Sequence, residues 1–197
     1  YSPSQLINDE IEEKIINKII IPTIKGMNEI GCKYKGILYA GLMIKNNEPK
    51  LIEYNIRFGD PECQVLMVRL GAQILDVLLD CAHQRLDQTK INWANDSAIS
   101  VVMAANGYPE TYQKDTVIKN IISAEKIDGI EIFHAGTKLI NNELRSDGGR
   151  VLNITRIGSN FKKIRKKIIS NIKKLNWKEG FYRKDIGWKV IGKNENY

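Results

Sequence analysis

One stretch, Leu51–Glu62 (LIEYNIRFGDPE), constrains the fold more than any other part of the chain. Its first half alternates apolar and polar residues, which is the pattern of a β-strand with one buried face. Phe58, Gly59, Asp60 and Pro61 follow, and this composition turns the chain sharply and places a proline in the first turn of a helix. The sequence therefore predicts a strand that leads directly into a helix.

Polar side chains of this strand are expected to share a face, because alternate residues of a strand point the same way. They are Glu53, Asn55 and Arg57, and the side chains predicted to pack on the opposite face are Ile52, Tyr54 and Ile56. Carboxylate and amide oxygens suit magnesium, and a guanidinium can hold a phosphate or carboxylate. By spacing alone, an exposed face with incidental polar residues is an open alternative.

The rest of the chain predicts an α+β fold. Apolar spacing indicates a helix from residue 11 to 20, and two strand-like runs, 35–45 and 50–57, suggest a β-hairpin. Further helices are predicted from Pro61 and from Gln73 to about Leu86, and residues 87–96 are a candidate linker. Three strands (97–105, 131–140 and 150–157) and an amphipathic helix (161–175) complete the pattern.

The amphipathic helix carries much of the net charge of +7. Its apolar positions, Phe161, Ile164, Ile168, Ile172 and Leu175, recur at helical spacing, and basic residues fill the other face. We expect a solvated basic surface and neither a nucleic-acid nor a membrane partner. A non-catalytic module that binds RNA or another polyanion is the alternative hypothesis.

No apolar run approaches the roughly 18 residues needed to cross a bilayer. Cys32, Cys63 and Cys81 are odd in number and lack a CxxC spacing, and the two histidines are not placed to complete a zinc site. The simplest hypothesis is a cytoplasmic protein with reduced thiols.

Residues 52–62 (IEYNIRFGDPE) resemble the signature of the phosphoribosylamine–glycine ligase family, ATP-grasp enzymes of purine biosynthesis. The similarity covers essentially the whole chain, since other stretches match in order: YSP at 1–3, IPTIKG at 21–26, GILYAGLM at 36–43, VMAANGYP at 102–109, FHAGTK at 133–138, DGGRV at 147–151 and RKDIGW at 183–188.

The resemblance implies a fold and a reaction. Residues 1–93 would be the second half of an ATP-grasp domain, and 94–197 a small α+β C-terminal domain. ATP would phosphorylate glycine, and the amine of 5-phosphoribosylamine would attack the glycyl phosphate to give glycinamide ribonucleotide, ADP and phosphate. Another ATP-grasp carboxylate–amine ligase with a different acceptor is the nearest alternative.

Site roles follow from the resemblance and from the chemistry. The family uses the positions of Glu53 and Asn55 for magnesium, and manganese would suit the same oxygens. Arg57 is expected to steady the phosphoryl group or the acyl phosphate. Asp60 would orient the glycine amino group or only cap its helix. Glu62 is a possible supporting residue.

The resemblance opens just after the family's glycine-rich loop, so the N-terminal half that would hold ATP and much of the phosphoribosylamine site is expected to be missing. The 197-residue segment alone is therefore predicted to be inactive. Three weaker candidates are His134, the Gly148–Arg150 turn and the Arg183–Asp185 segment, for each of which a structural role is an open alternative.

Overall fold

The computed structural model describes residues 1–192, whose helices and antiparallel sheets make the predicted α+β fold. These residues divide into two compact units. The hairpin unit comprises residues 4–60 and 70–92, and the sheet unit comprises residues 1–3, 61–69 and 93 onward. Over residues 1–192, every helix is too short or too polar to span a membrane.

The hairpin unit begins with a long helix in three segments, α1 (Asp9–Ile15), a π-helical part (Ile16–Ile20) and α2 (Ile21–Glu29). The helix starts where the sequence provides a cap, because the Asn8 side chain accepts a hydrogen bond of 2.9 Å from the backbone N–H of Ile11. Later in the chain the unit contains α4 (Ile74–Ala82), so the helix predicted from Gln73 ends earlier than expected.

Two strands, β1 (Tyr39–Lys45) and β2 (Glu48–Asn55), form the antiparallel hairpin of this unit. Only Asn46 and Asn47 separate them, and both have positive φ (53° and 57°), as a tight two-residue hairpin turn requires. The sequence predicted a longer turn through Pro49. Pro49 instead lies within β2, in a sheet that has only two strands.

The sheet unit is built on four antiparallel strands in the order β4 (Ile130–His134), β7 (Arg150–Gly158), β3 (Ser97–Ala105) and β8 (Gly180–Phe181). Helix α6 (Phe161–Ile172) contributes Ile164, Ile168 and Ile172 to the buried core of this unit. They are 2%, 0% and 5% exposed, which confirms the apolar face predicted for this helix. The central strand residues Ile99 and Ile154 are fully buried in the same core.

The predicted strand 131–140 is two strands in separate sheets. β4 ends at His134, and β5 (Thr137–Ile140) pairs with β6 (Glu143–Ser146). The break occurs where Gly136 meets Gly148, since a Cβ built on Gly136 would lie 2.6 Å from the Gly148 Cα. Only glycine permits this approach of two backbones.

Three short helices complete the described residues. They are α3 (Glu62–Leu70), α5 (Ile121–Glu125) and α7 (Trp188–Ile191). The candidate linker at 87–96 starts in a 3₁₀ turn (Leu86–Gln88), and residues 89–96 contain no helix or strand. Within the sheet unit its end is fixed, because Arg69 donates hydrogen bonds to the carbonyls of Ala94 (2.9 Å) and Asp96 (3.2 Å).

Candidate functional site

Glu53 and Asn55 lie together at the end of β2. The amide Nδ2 of Asn55 donates to the Glu53 Oε1 atom at 3.3 Å, so the two side chains share a face of the strand as their spacing predicts. The pairing with β1 is irregular just before them, because Gly41 is opposite Glu53 whereas Leu42 is opposite Leu51. Ile52 is therefore the extra residue of a β-bulge, a device that re-aims side chains at sites.

Gly41 makes room for the Glu53 side chain. A Cβ built at position 41 would lie 3.0 Å from Glu53 Cγ and 3.5 Å from the Glu53 carbonyl oxygen. Sequence analysis missed this residue, although a lone glycine within a strand pattern signals a bulge or a close approach. Gly41 thus helps to determine where the Glu53 carboxylate lies.

The opposite face of β2 is attached to the long helix through Tyr54. Its hydroxyl hydrogen-bonds with the Thr23 hydroxyl, and Thr23 Oγ1 donates to the Ile19 carbonyl at 2.7 Å. This confirms that Tyr54 packs away from Glu53. The prediction for its neighbours is wrong, because Ile52 and Ile56 are 63% and 77% exposed. Ile52 is the extra residue of the bulge and Ile56 lies beyond the end of β2, so strand alternation places neither side chain under the long helix.

Ion pairs hold the turn end of the hairpin against the long helix. The Lys14 ammonium lies 2.8 Å from Glu48 Oε1 and donates to the Asn47 carbonyl at 3.1 Å, and Lys18 reaches the second Glu48 oxygen at 3.1 Å. Hydrogen bonds from Lys14 and then Lys18 lower the pKa of Glu48, while those to Glu10 and Glu48 raise the pKa of Lys14. These contacts fix the strand that carries the candidate site.

Arg57 lies outside the strand that carries Glu53 and Asn55. The strand ends at Asn55, residues 56 and 57 form a bend, and the Arg57 Nη1 donates to the carbonyl of its neighbour Phe58 at 2.9 Å. The predicted three-residue face is therefore wrong for Arg57, because alternation holds only within a strand.

Asp60 is half-buried in the turn that follows, and Pro61 precedes the helix, which starts at Glu62, one residue later than predicted. Asp60 is the last residue of its segment of the hairpin unit, and Glu62 begins α3 in the sheet unit. Both make interactions in the structure. The predicted cap at Asp60 stays a prediction.

The Glu53–Asn55 pair fits a divalent cation. Two neighbouring ligand atoms of Mg²⁺, each about 2.1 Å from the ion, are about 3 Å apart. This is close to the 3.3 Å between Asn55 Nδ2 and Glu53 Oε1. A half-turn of the Asn55 amide places its oxygen where the nitrogen now lies. Among residues 1–192 no group of three or more His, Cys, Asp or Glu side chains could cage a metal. The pair suits an ion that takes its other ligands from water and phosphates.

The three weaker candidates lie in the sheet unit with structural partners of their own. His134 Nδ1 is 3.0 Å from the Thr137 hydroxyl, and Nε2 is 3.5 Å from a Glu125 oxygen. Arg183 is held in a two-bond ion pair with Asp185, at 3.0 and 2.7 Å. The interactions made by these side chains are accounted for by local structure alone.

Gly148 and Gly149 are required by close packing. Gly148 meets Gly136, and a Cβ on Gly149 would lie 2.2 Å from the Tyr108 ring. The glycine pair therefore has a structural explanation that does not involve a phosphate.

Comparison with known proteins places the chain in a family. Residues 1–63 match the model of the phosphoribosylglycinamide synthetase ATP-grasp (A) domain, and residues 98–189 match that of the C domain of the same enzyme. The chain is 46% identical to the chloroplastic phosphoribosylamine–glycine ligase of Arabidopsis thaliana, over 97% of this chain and 37% of that protein. It is 40% identical to the ligase of Escherichia coli K12, over 100% of this chain and 46% of that one.

A solved structure agrees with these matches. The crystal structure of phosphoribosylamine–glycine ligase from Thermotoga maritima superimposes with a TM-score of 0.77 and 29% identity, over 91% of this chain and 44% of that one. The chain spans less than half the length of these three relatives. It belongs to the phosphoribosylglycinamide synthetase (phosphoribosylamine–glycine ligase) family and contains part of that family's ATP-grasp domain together with its C domain.

Proposed function

We propose that the protein containing this chain ligates glycine to 5-phosphoribosylamine at the expense of ATP, through a glycyl phosphate, in purine biosynthesis. The observation that carries the proposal is the match to phosphoribosylamine–glycine ligases over 97% to 100% of the chain. A carboxylate is a poor acyl donor, and phosphorylation gives it a good leaving group, so the reaction needs a site that binds phosphate and metal.

Glu53 and Asn55 are proposed to hold the divalent ion, Mg²⁺ or Mn²⁺. The support for this role is chemical. Both side chains offer an oxygen, Asn55 Nδ2 lies 3.3 Å from Glu53 Oε1, and Gly41 leaves space for the Glu53 carboxylate. A divalent ion bound there neutralises the charge that develops on the phosphoryl group during transfer.

Arg57 is proposed to bind the phosphoryl group or the acyl phosphate. Its side chain is exposed, and only one of its five N–H donors is used by the Phe58 carbonyl, so the guanidinium retains donors for an anion. Asp60, half-buried at the end of the same loop, is proposed to orient the glycine amino group, with helix capping as the alternative.

The remainder of the enzyme is the expected partner of this chain. We propose that it supplies the ATP-binding lysines and much of the phosphoribosylamine site, and that the 197-residue segment alone has no ligase activity. We propose the domain boundary near residue 93. The division into units supports it where residues 70–92 are separated from those that follow, although residues 1–3 and 61–69 belong to the sheet unit as well. Cys32, Cys63 and Cys81 form no disulfide among residues 1–192, and reduced thiols support a cytoplasmic location.

The test measures ADP release by the full-length protein. In the unaltered enzyme, release should require glycine, phosphoribosylamine and a divalent ion together. Glu53→Ala and Asn55→Ala should each lower kcat by about 10²- to 10³-fold, because each removes a ligand of the ion that stabilises charge in the transition state. Their unfolding midpoints should stay close to that of wild type, since Glu53 is exposed and Asn55 lies at the end of the strand.

Lys50→Ala is the matched control, because Lys50 is exposed on the same strand but outside the pair. Its turnover should equal that of wild type. Undiminished metal-dependent turnover in Glu53→Ala would remove the assigned metal role. ADP release with glycine and a different amine, but not with phosphoribosylamine, would favour another ATP-grasp carboxylate–amine ligase. Turnover by the 197-residue segment alone would contradict the expected division of the site.

A further inference from the structure

One segment of the sheet unit has a one-sided charge composition. Residues 148–178 contain ten Lys and Arg residues and no Asp or Glu. Seven of the ten lie between Lys162 and Lys174, in α6 and the turn after it. A positive surface this dense attracts anions over several ångströms.

The positive charge is held in place by a buried apolar face. Ile164, Ile168 and Ile172 fix α6 in the core of the sheet unit, so the opposite face points to solvent. Five lysines of that face are exposed and make no ion pair with any of the residues 1–192: Lys163, Lys166, Lys167, Lys173 and Lys174.

This arrangement opposes the local stability of the helix. The first turn of α6 contains Lys162 and Lys163 and no acidic residue, although the positive end of the helix dipole favours acidic side chains there. Lys163 and Lys167 are four residues apart, a spacing at which like charges repel. Charges that reduce the local stability of an element are typical of functional surfaces.

The charge spacing indicates the kind of partner. From Lys162 to Lys174 the helical rise is about 18 Å, so the six exposed lysines of this stretch give roughly one positive charge every 3.6 Å. One strand of a nucleic-acid duplex carries a phosphate about every 3.4 Å along the axis. We propose that this basic face, the five exposed lysines with Lys162 beside them, binds the phosphodiester backbone of a nucleic acid without reading its sequence.

Two features favour a nucleic-acid backbone over a lipid surface. An amphipathic helix that binds a bilayer inserts its apolar face, whereas the apolar side chains of α6 are already buried in the protein. The helix also presents no exposed aromatic side chain to a headgroup region, since its only aromatic residue, Phe161, is half-buried and contacts the Tyr1 ring edge-on at 5.8 Å. This proposal differs from the sequence-based expectation of no nucleic-acid partner, because the sequence pattern alone did not show that the five exposed lysines lack counter-charges.

The experiment is an anisotropy titration of the full-length protein with fluorescein-labelled duplexes of 20 base pairs, one of RNA and one of DNA, between 50 and 300 mM KCl. Five phosphate contacts predict a slope of log K against log salt of about −4.5. The triple variant Lys163→Gln, Lys166→Gln and Lys167→Gln should reduce the slope to about −1.8, since each lost contact removes about 0.9. Comparison of the two duplexes separates RNA from DNA as the source of the backbone.

The matched control, Lys25→Gln, Lys33→Gln and Lys35→Gln, removes the same charge from exposed positions of the hairpin unit. Its slope and its unfolding midpoint should stay near those of wild type. The α6 triple variant should unfold at the same midpoint or slightly higher, because it loses like-charge repulsion, and both triple variants should keep wild-type ligase turnover. The proposal is refuted by absence of binding at 50 mM KCl, by an equal loss in the control, or by binding to vesicles with 30% anionic lipid and to neither duplex. A negative result in the anisotropy titration does not affect the ligase proposal, because ligase activity is tested separately by ADP release.

Discussion

Substitution of Gly41 by Ala tests the link between the hairpin and the candidate metal pair. In the structure the added Cβ would lie 3.0 Å from Glu53 Cγ, closer than ordinary carbon–carbon contacts allow. The Glu53 side chain is the part that can yield, because β1 and β2 are fixed by their ladder of hydrogen bonds. We expect Glu53 to shift by a few tenths of an ångström while the fold is preserved.

The size of the effect follows from what that shift does to a ligand. A side chain displaced from its preferred rotamer costs about 0.5–1.5 kcal/mol. If the Glu53 side chain is strained by this amount when it binds the ion, metal affinity should fall by about 2- to 12-fold. The distance from a ligand atom to a metal varies by only about 0.2 Å in a good site, so a shift of a few tenths of an ångström is large enough to weaken metal binding.

The assay is the Mn²⁺ titration of the full-length enzyme, with ATP and without the acceptor amine, followed by calorimetry. Gly26→Ala is the control, because nothing lies within 4 Å of a Cβ at that position in α2. That variant should be slightly more stable than wild type, since alanine is the better helix former by about 1 kcal/mol. Equal Mn²⁺ affinities in Gly41→Ala, Gly26→Ala and wild type would refute the inference that Gly41 positions a metal-binding Glu53.

Two further predictions concern the sheet unit. Gly149→Ala places a Cβ 2.2 Å from the Tyr108 ring, so we expect a loss of about 1–3 kcal/mol from overpacking, measured by urea unfolding; unchanged stability would refute the contact. The Lys138 ammonium lies 2.6 Å from an Asp115 oxygen and lowers the pKa of that carboxyl, chiefly through its hydrogen bond. The interaction therefore stabilises the fold above the unfolded pKa of about 3.9, and this stabilisation is lost as the pH falls through the lower pKa of the folded state. Lys138→Met should therefore raise the pKa of Asp115, seen by ¹³C NMR titration, and make stability fall less steeply on acidification; an unmoved pKa contradicts the assignment.

Helix α6 and strand β3 could be predicted well from the sequence. The bounds of β3, Ser97–Ala105, are those predicted, and its alternate residues Ile99 and Val101 are buried at 0% and 1% exposure. Both elements have a strong local pattern and bury their apolar face within their own unit. Local pattern and tertiary packing therefore favour the same structure.

The hairpin shows where sequence patterns become insufficient. A period of two correctly indicates that Glu53 and Asn55 share a face, because that depends only on the strand. It cannot indicate that the strand ends before Arg57, or that a bulge forms at Ile52, because both depend on the partner strand and its glycine.

Burial of Ile52 and Ile56 requires still more than a strand, namely a layer packed against it. Alternation predicts which side chains point the same way, and solvent exclusion depends on what lies opposite them. Here the long helix packs on the face of Tyr54, but Ile52 is the extra residue of the bulge and Ile56 lies beyond the strand, so neither is held against that helix. The polar pair could thus be predicted from local sequence, whereas the environment of the apolar residues beside it depends on contacts that no local pattern specifies.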